Sequence, residues 1–296
     1  MQNQSSNLLN SRGKILDLST PKVMGILNVT PDSFSDGGRF TNIDSILTHC
    51  QQMIDDGVDI IDIGGESTRP NASAVGSELE LERVIPAVKA IRQAFGQEIW
   101  LSLDTSNPAV MEQGILAGAD MINDVRALGR DGALAMAASL DVPVVLMHSR
   151  GEPDTMNDLA VYDNVIDDIK AELNNKIEQA LNVGIKKSHL LVDVGMGFAK
   201  NFNHHHAIMQ NLDELIAFFG LPMLFGVSRK RFLGELLQGT GVQAWQTHTP
   251  ADRDVLGAGM SLLAVQAGAK IVRVHDVAKS VQLLSMWRQL QDKVQM

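Results

Sequence analysis

Polar side chains that can do chemistry recur in this sequence at the ends of short apolar runs or directly after them. They are Asn28, Glu66, Ser67, Thr68, Arg69, Asp104, Asn123, Asp124, His148, Asp193, Ser228, Arg229, Lys230, Arg273 and His275. One or two such positions would be ordinary, because loops between buried elements must be polar somewhere. Nearly every apolar run ends in this way, which indicates a functional face and not solvation alone.

These residues fall into two chemical groups. The first group favours an anion such as a phosphate, because its members precede predicted helices whose N-terminal N–H groups and dipole attract negative charge; it consists of Ser228, Lys230, Arg273 and His275. The second group offers hydrogen-bond acceptors, namely Asp104, Asn123 and Asp193. Two carboxylates and an amide suit a flat heterocycle with several N–H donors, since a carboxylate can accept two parallel N–H bonds.

Simpler structural roles remain open for several of these residues. Asp193 could satisfy only backbone N–H groups, and Lys230 within "SRKRF" could belong to a solvated basic run. Asp104 could cap a helix, although Ser106 is better placed for that role. The tract His204–His206 resembles a metal site, but adjacent residues do not share one helix face, so no metal is predicted there.

The elements that must position these residues are eight apolar runs separated by helical patterns. The runs span 22–29, 59–65, 99–105, 120–125, 143–149, 190–195, 222–227 and 270–275. Their continuous hydrophobicity is typical of parallel strands covered on both faces. Eight β-α units in one series predict a single α/β (β/α)8 TIM barrel, whose functional face is the C-terminal end of the strands. An open doubly wound sheet is the alternative.

Local signals predict some boundaries of these elements. Residues 1–20 are predicted to be an N-terminal extension, either loose or a short hairpin beneath the barrel, and 21–296 the barrel domain. Ser77 and Glu80 form a capping-box pattern at a helix start, and Pro86 predicts a kink or restart in that helix.

Composition limits the classes of partner. The chain has 296 residues and a formal net charge of −10, which argues against nucleic acid or an anionic membrane as the main partner. A single cysteine, Cys50, excludes an intrachain disulfide, and neither a signal peptide nor a membrane span is evident. We expect a soluble, cytoplasmic protein.

Taken together, the motifs resemble the dihydropteroate synthase family, folate-pathway enzymes that are targets of sulfonamides. The resemblance spans roughly 22–290 and depends on "GILNVTPDSFSDGG", "DIGGESTRP", "SLDTSNP", "AGADMINDV", "DVGMGFAK", "FGVSRKRFLGE" and "VRVHDV" in that order. It implies a pterin-binding TIM barrel, usually a homodimer. The implied reaction joins 6-hydroxymethyl-7,8-dihydropterin diphosphate to 4-aminobenzoate and releases pyrophosphate with the help of Mg²⁺.

The resemblance also implies a role for each matching residue. Asp193 would accept N–H bonds from the pterin edge, and Lys230 would contact the pterin carbonyl and ring nitrogen. The other implied pterin-pocket residues are Asp104, Asn123, Val125, Met147 and Phe198. The implied catalytic residues are Asp104, Lys230, Arg273 and His275.

The diphosphate and aminobenzoate sites follow from the same resemblance. Asn28 would bind Mg²⁺ on the diphosphate, and Arg273 and His275 would hold the diphosphate itself. The implied aminobenzoate residues are Phe34 in the first loop, Thr68, Arg69 and Pro70 in the second loop, and Ser228.

One departure and three alternatives qualify this interpretation. Proline usually follows the pterin-binding aspartate in the family, whereas Val194 follows it here and leaves a backbone N–H and a freer φ. A corrinoid-dependent pterin methyltransferase would share the carboxylates but needs no diphosphate site. A non-catalytic pterin-binding homologue conflicts with the full set of polar residues. A Schiff-base aldolase would require a lysine within a strand, whereas Lys22 and Lys270 only open their apolar runs.

Overall fold

In the computed structural model, which describes residues 7–30, 43–66, 76–152, 154–246 and 248–291, eight parallel strands form a ring. They are β3 (Lys22–Asn28), β4 (Ile60–Gly64), β5 (Trp100–Asp104), β6 (Met121–Asp124), β7 (Val144–Met147), β8 (Leu190–Asp193), β9 (Leu224–Phe225) and β10 (Ile271–Val274). Their order is β8-β7-β6-β5-β4-β3-β10-β9. A parallel bridge between Val192 and Met223 joins β8 to β9. The predicted (β/α)8 barrel is therefore confirmed.

Helices follow the strands and cover the outside of the ring. They are α1 (Ile43–Asp55), α2 (Ser77–Phe95), α3 (Pro108–Ala117), α4 (Ala133–Leu140), α5 (Val165–Asn182), α6 (Phe202–Gln210), α7 (Leu212–Phe219), α8 (Arg231–Gly239), α9 (Asp254–Ala267) and α10 (Val277–Gln291). Among the described residues, no helix is both long and apolar enough to cross a membrane.

The bottom of the barrel interior is a closed apolar layer. Each strand contributes one buried side chain to it, and these are Met24, Ile60, Trp100, Met121, Val145, Leu191, Leu224 and Ile271. A separate and larger apolar cluster lies between the strands and the helices. Because side chains alternate between the two faces of a strand, the residue two positions after each member of the bottom layer also points inward.

An antiparallel hairpin closes the barrel from below. It consists of β1 (Leu8–Ser11) and β2 (Lys14–Asp17), and its Leu9 and Leu16 are buried in the same apolar layer. Of the two forms expected for the first 20 residues, the structure has the hairpin. The division of the chain into an extension and a barrel domain stays a prediction.

The predicted capping box of α2 is wrong, and so is a restart of the helix at Pro86, whereas a kink there stays a prediction. The helix begins at Ser77 after Gly76, which makes no side-chain cap, so the capping box is absent. Glu80 is instead buried and accepts a hydrogen bond from Thr105 Oγ1 at 2.5 Å, so a contact distant in sequence replaces the local one. The helix also continues through Pro86 without restarting.

A buried aspartate ties the hairpin to the barrel wall. Asp120 Oδ2 accepts a hydrogen bond from Lys14 Nζ at 2.9 Å and from the Leu101 backbone N–H at 2.8 Å. Arg92 also pairs with it, and Ser11 Oγ donates to the Asp120 carbonyl at 2.6 Å. One carboxylate therefore satisfies donors from three separate segments.

We expect Asp120→Ala to lower the free energy of unfolding by about 3–5 kcal/mol, because it leaves Arg92 buried without its anion. Denaturant titration would measure the loss. Asp131→Ala, at an exposed site, is the matched control and should change stability by less than about 0.5 kcal/mol. Equal stability of the two variants would contradict this account.

Candidate active site

Above the apolar layer, five of the next eight inward positions are polar. Two residues after the members of the bottom layer come Ile26, Asp62, Ser102, Asn123, Met147, Asp193, Gly226 and Arg273, and Asp104 follows Ser102 by the same step. The structure thus brings Asp104, Asn123, Asp193 and Arg273 into one mouth, as the strand-end pattern predicts. This mouth is the C-terminal face of the barrel.

Arg273 is the centre of this polar layer. Its Nε donates to Asp62 Oδ2 at 2.6 Å, and its second terminal nitrogen donates to Asp104 Oδ2 at 2.6 Å. Asn123 Nδ2 also donates to Asp62 Oδ2, at 3.0 Å. Arg273 lies on β10, on one side of β3, and β4 and β5 lie on the other side. The guanidinium therefore reaches past β3 and orients the carboxylates of Asp62 on β4 and Asp104 on β5.

Burial and pairing act in opposite directions on these groups. Burial raises the pKa of Asp104 to about 7, although the charge of Arg273 opposes the shift. Burial lowers the pKa of Arg273, but the carboxylates of Asp62 and Asp104 outweigh it and the net shift is upward. Arg273 is consequently a permanent cation, whereas Asp104 can change its charge near neutral pH.

Asp193 and Lys230 form the second part of the mouth. Asp193 Oδ1 accepts the Gly195 N–H at 2.7 Å, so the backbone role is real but occupies only one of its oxygens. A Cβ added at Gly226 would lie 3.5 Å from Arg273 Cβ and 3.8 Å from Asp193 Oδ2, so both side chains pass close to this glycine. Burial raises the pKa of Asp193, while the charge of Lys230 lowers it.

Lys230 is directed inward and is not part of a solvated run. Its Nζ lies 4.3 Å from the centroid of the Phe198 ring and donates to the Met196 carbonyl. Gly197 has φ +81°, and a Cβ there would lie 2.6 Å from Lys230 Cδ, so only glycine fits beneath this side chain. Burial lowers the pKa of Lys230 to about 8.

His275 and Ser228 are paired at the edge of the mouth. The His275 backbone N–H donates to Ser228 Oγ at 3.0 Å, and Nδ1 lies 3.0 Å from the same oxygen. Oγ accepts the backbone proton and can donate its own proton to Nδ1 of a neutral imidazole, the tautomer in which Nε2 carries the ring proton. Ser228 therefore holds His275 in orientation, a role that the sequence did not suggest.

The donor set for a divalent cation is sparse. Asn28 ends β3 and is half-buried at the mouth. In the part of the chain that the structure describes, no three His, Cys, Asp or Glu side chains are grouped to hold a metal ion. Mg²⁺ commonly uses one or two protein oxygens together with substrate phosphates and water, so a single amide oxygen beside a diphosphate fits this ion.

The remaining predicted residues divide into two sets. Met147 is buried, and Val125 and Phe198 are partly exposed at the mouth. Phe34, Thr68, Arg69 and Pro70 lie outside the described residues, so their predicted roles stay predictions.

Sequence reasoning missed two buried charged residues. Asp62 is fully buried and pairs with Arg273; its signal is a carboxylate in the middle of the apolar run "DIIDIGG". Lys200 is 8% exposed and closes the loop that begins at Asp193. It stands in a motif that supports the family resemblance, but no role was assigned to it.

Two further interpretations are corrected or explained by the structure. Asn107, not Ser106, caps α3 by accepting from the Ala109 N–H, whereas Ser106 Oγ bonds to Asp124. His204 completes a capping box with Asn201, and His205 Nε2 accepts the Gly197 N–H at 2.8 Å. These two histidines therefore have structural partners.

Comparison with known proteins identifies close relatives. The family model described as pterin binding enzyme matches residues 24–275. The dihydropteroate synthase of Haemophilus influenzae is 44% identical over 281 residues, covering 95% of this chain and 98% of that protein.

Solved structures agree with this result. Xanthomonas albilineans dihydropteroate synthase with 4-aminobenzoic acid has a TM-score of 0.88 and 44% identity, covering 97% of this chain and 99% of the other. The same enzyme in complex with 7,8-dihydropteroate has a TM-score of 0.84 and 41% identity, with 96% and 99% covered.

The electrostatics of the mouth predict a titration near neutral pH. In carbon-13 NMR of protein labelled at aspartate carboxyls, we expect one resonance, absent from Asp104→Asn, with a midpoint at about pH 7. In Arg273→Met the midpoint should rise further, because the cation that favours the carboxylate is gone. A wild-type midpoint below about pH 5, in the range of an ordinary carboxyl, would refute the assignment.

Proposed function

Because the chain belongs to the pterin binding enzyme family, among its dihydropteroate synthases, we propose that it joins 6-hydroxymethyl-7,8-dihydropterin diphosphate to 4-aminobenzoate. The products are 7,8-dihydropteroate and pyrophosphate. The enzyme is thus a transferase of folate biosynthesis.

The observation that carries this proposal is the polar layer of the mouth. It presents acceptors, Asp104, Asn123 and Asp193, beside cations, Lys230 and Arg273. Such a combination suits a ligand with N–H donors at one end and negative charge at the other, which describes a pterin diphosphate. The complexes of the X. albilineans enzyme with 4-aminobenzoic acid and with 7,8-dihydropteroate support the second substrate and the product.

Pterin recognition would depend on Asp193 and Lys230. The Asp193 oxygen that Gly195 does not engage can accept N–H bonds from the pterin edge. Lys230 would exchange its bond to the Met196 carbonyl for the pterin carbonyl and ring nitrogen. Asn123 and the apolar walls from Val125, Met147 and Phe198 would complete the pocket.

The chemical step breaks the bond between the pterin methylene and a diphosphate oxygen. Electron release from the reduced pterin stabilises positive charge at the methylene, so we favour departure of pyrophosphate before attack by the aromatic amine. Anionic Asp104 would stabilise that charge, and Arg273 and the Nε2–H of His275 would hold the departing pyrophosphate. Mg²⁺, held by Asn28 and the diphosphate, would supply further neutralisation of negative charge when bound.

The aminobenzoate would lie at the outer part of the mouth. Ser228 stands before α8, where the helix N-terminus favours a carboxylate. Its bond to His275 places the two residues at the boundary between the two substrates. Phe34, Thr68, Arg69 and Pro70 are proposed for the same subsite from the family resemblance alone.

Two broader properties are also proposals. A homodimer is supported by apolar side chains exposed on and near α9, namely Val255, Leu263 and Trp245, and light scattering would measure the mass. A cytoplasmic location stays a prediction from the sequence.

The reaction itself is directly testable. Incubation of the protein with Mg²⁺, the pterin diphosphate and 4-aminobenzoate should yield equimolar pyrophosphate and 7,8-dihydropteroate, resolved by chromatography. Reactions without aminobenzoate should yield no pterin adduct. Methyl transfer from methyltetrahydrofolate to a corrinoid, without dihydropteroate formation, would support the methyltransferase alternative instead.

We expect Asp193→Ala to weaken pterin binding at least tenfold while the fold is kept. Each hydrogen bond to a charged group contributes about 1.5–3 kcal/mol, and about 1.4 kcal/mol is already tenfold. Calorimetry measures the affinity, and Asp213→Ala at an exposed position of α7 is the control. Unchanged affinity in Asp193→Ala would remove this residue from the pterin site.

A further inference from the structure

Lys200 is a buried lysine whose hydrogen-bond partners in the described part of the chain are all neutral. Its Nζ lies 2.9 Å from His148 Nδ1, 3.0 Å from the Phe198 carbonyl oxygen and 3.4 Å from the His148 carbonyl oxygen. A buried ammonium is costly without a paired anion. Its presence behind the mouth therefore calls for a functional explanation.

The imidazole of His148 connects Lys200 to a carboxylate. Burial, with the charge of Lys200, lowers the pKa of His148 to about 4, so the ring is neutral at physiological pH. A neutral ring that accepts from Lys200 at Nδ1 carries its proton at Nε2, which lies 3.1 Å from Glu172 Oε2. Arg150 holds Glu172 in turn, with Nε 3.0 Å from Oε1. The ammonium is thus one end of a chain of hydrogen bonds that reaches solvent.

The loop that Lys200 closes packs closely against the end of β7. It leaves β8 at Asp193 and passes so near the end of β7 that a Cβ at Gly195 would lie 1.8 Å from the His148 carbonyl oxygen. Gly195 has φ +69°, a conformation that favours glycine. By bonding both Phe198 and His148, Lys200 ties the far end of this loop to β7.

Lys200 lies behind the residue that bonds Asp193, because a Cβ at Gly195 would lie 3.3 Å from Lys200 Nζ and the Gly195 N–H donates to Asp193 Oδ1. Burial raises the pKa of Asp193, and the groups that oppose this are Lys230, the Gly195 N–H, Lys200 and Arg273. Lys230 and Arg273 are assigned to the ligand in the proposed reaction. Lys200 bonds only to the protein, so its charge remains available to Asp193 whether or not the ligand is bound.

We propose that Lys200 is a positioning residue for pterin recognition, which ties the loop from Asp193 to Lys200 against β7 and places a cation behind the Asp193 carboxylate. This inference rests on the proposed function, because it concerns the residue assigned to the pterin edge. Lys200 does not touch the ligand. It acts through Asp193 and Phe198.

Several other charged or titratable groups face Lys200, and they determine when its charge is present. They are His148 and Arg150 in the loop after β7, Glu172 on α5, Asp193 on β8, His204 and His205 on α6, and Lys230 directly before α8. Burial lowers the pKa of Lys200 to about 7, with Asp193 and Glu172 opposing the shift. Below about pH 7 the ammonium is therefore present, and the test belongs in that range.

The test measures how pterin affinity depends on pH. The probe is 6-hydroxymethyl-7,8-dihydropterin without its diphosphate, so that phosphate ionisation does not contribute, and calorimetry covers pH 4.5–7. Lys200→Met removes the charge and the donor, Lys200→Arg keeps the charge, and Lys187→Met removes a charge at an exposed site. Thermal unfolding confirms that each variant is folded.

Without the ammonium, Asp193 becomes protonated at a higher pH. As the pH falls, Lys200→Met should therefore lose its affinity for the pterin at a higher pH than the wild type does. We expect its midpoint to rise by about half a unit to one unit, and its affinity at the wild-type midpoint to fall about two- to fivefold. Lys200→Arg should keep a midpoint near that of the wild type, and Lys187→Met should match it. If folded Lys200→Met has the same midpoint of pterin affinity as the wild type, the inference is overturned.

A measurement on the wild type covers the case in which Lys200→Met does not fold. In carbon-13 NMR of labelled lysine Cε, the Lys200 resonance, identified by its absence in Lys200→Arg, should titrate near pH 7 and shift to higher pH with pterin bound. Coupling between two sites is reciprocal, so a ligand that stabilises anionic Asp193 must stabilise the Lys200 ammonium. No shift in protein that binds pterin normally would overturn this inference alone. Failure of the wild type to bind pterin would overturn the proposed function with it.

Discussion

The site depends on one buried ionic contact, the guanidinium of Arg273 between the carboxylates of Asp62 and Asp104. Two anions around one cation leave a net negative charge inside a barrel whose floor is apolar. Such a group is stable only if each partner is held by further hydrogen bonds, and Asn123 provides one of these to Asp62. Burial, with a smaller contribution from the negative charge of Asp62, raises the pKa of Asp104, so this carboxylate holds its proton more tightly than usual. A cationic reaction centre placed beside it would restore the balance.

The architecture was largely readable from the sequence, because continuous apolar runs and helical periodicity are local properties. Each of the eight predicted runs contains a strand, although 222–227 contains only Leu224–Phe225. The errors occurred where a distant partner competed with a local one. Ser77 and Glu80 have the spacing of a capping box, but Glu80 bonds Thr105 instead. Such a competition cannot be judged from spacing alone.

The composition of the site was readable for the same reason, whereas its internal pairing was not. Strand ends converge in a barrel, so Asp104, Asp193 and Arg273 could be placed together from their positions alone. That Arg273 engages Asp62, 211 residues away, follows from strand order and register, which the sequence does not state. Lys200 was missed because nothing in its surroundings in the chain indicates burial.

The contact between β8 and β9, here called the seam of the barrel, is weaker than the other strand contacts and affects how ligand binding stabilises the barrel. Strands β8 and β9 meet through the single bridge between Val192 and Met223, while the other neighbouring strands share longer registers. Asp193 stands on one side of this seam and Lys230 on the other. A ligand that contacts both Asp193 and Lys230 therefore links the two sides of the barrel where its strands share the shortest register. Ligand binding in the pocket and the stability of the barrel against opening are therefore coupled. Amide hydrogen exchange along β8 would report whether the pocket is occupied.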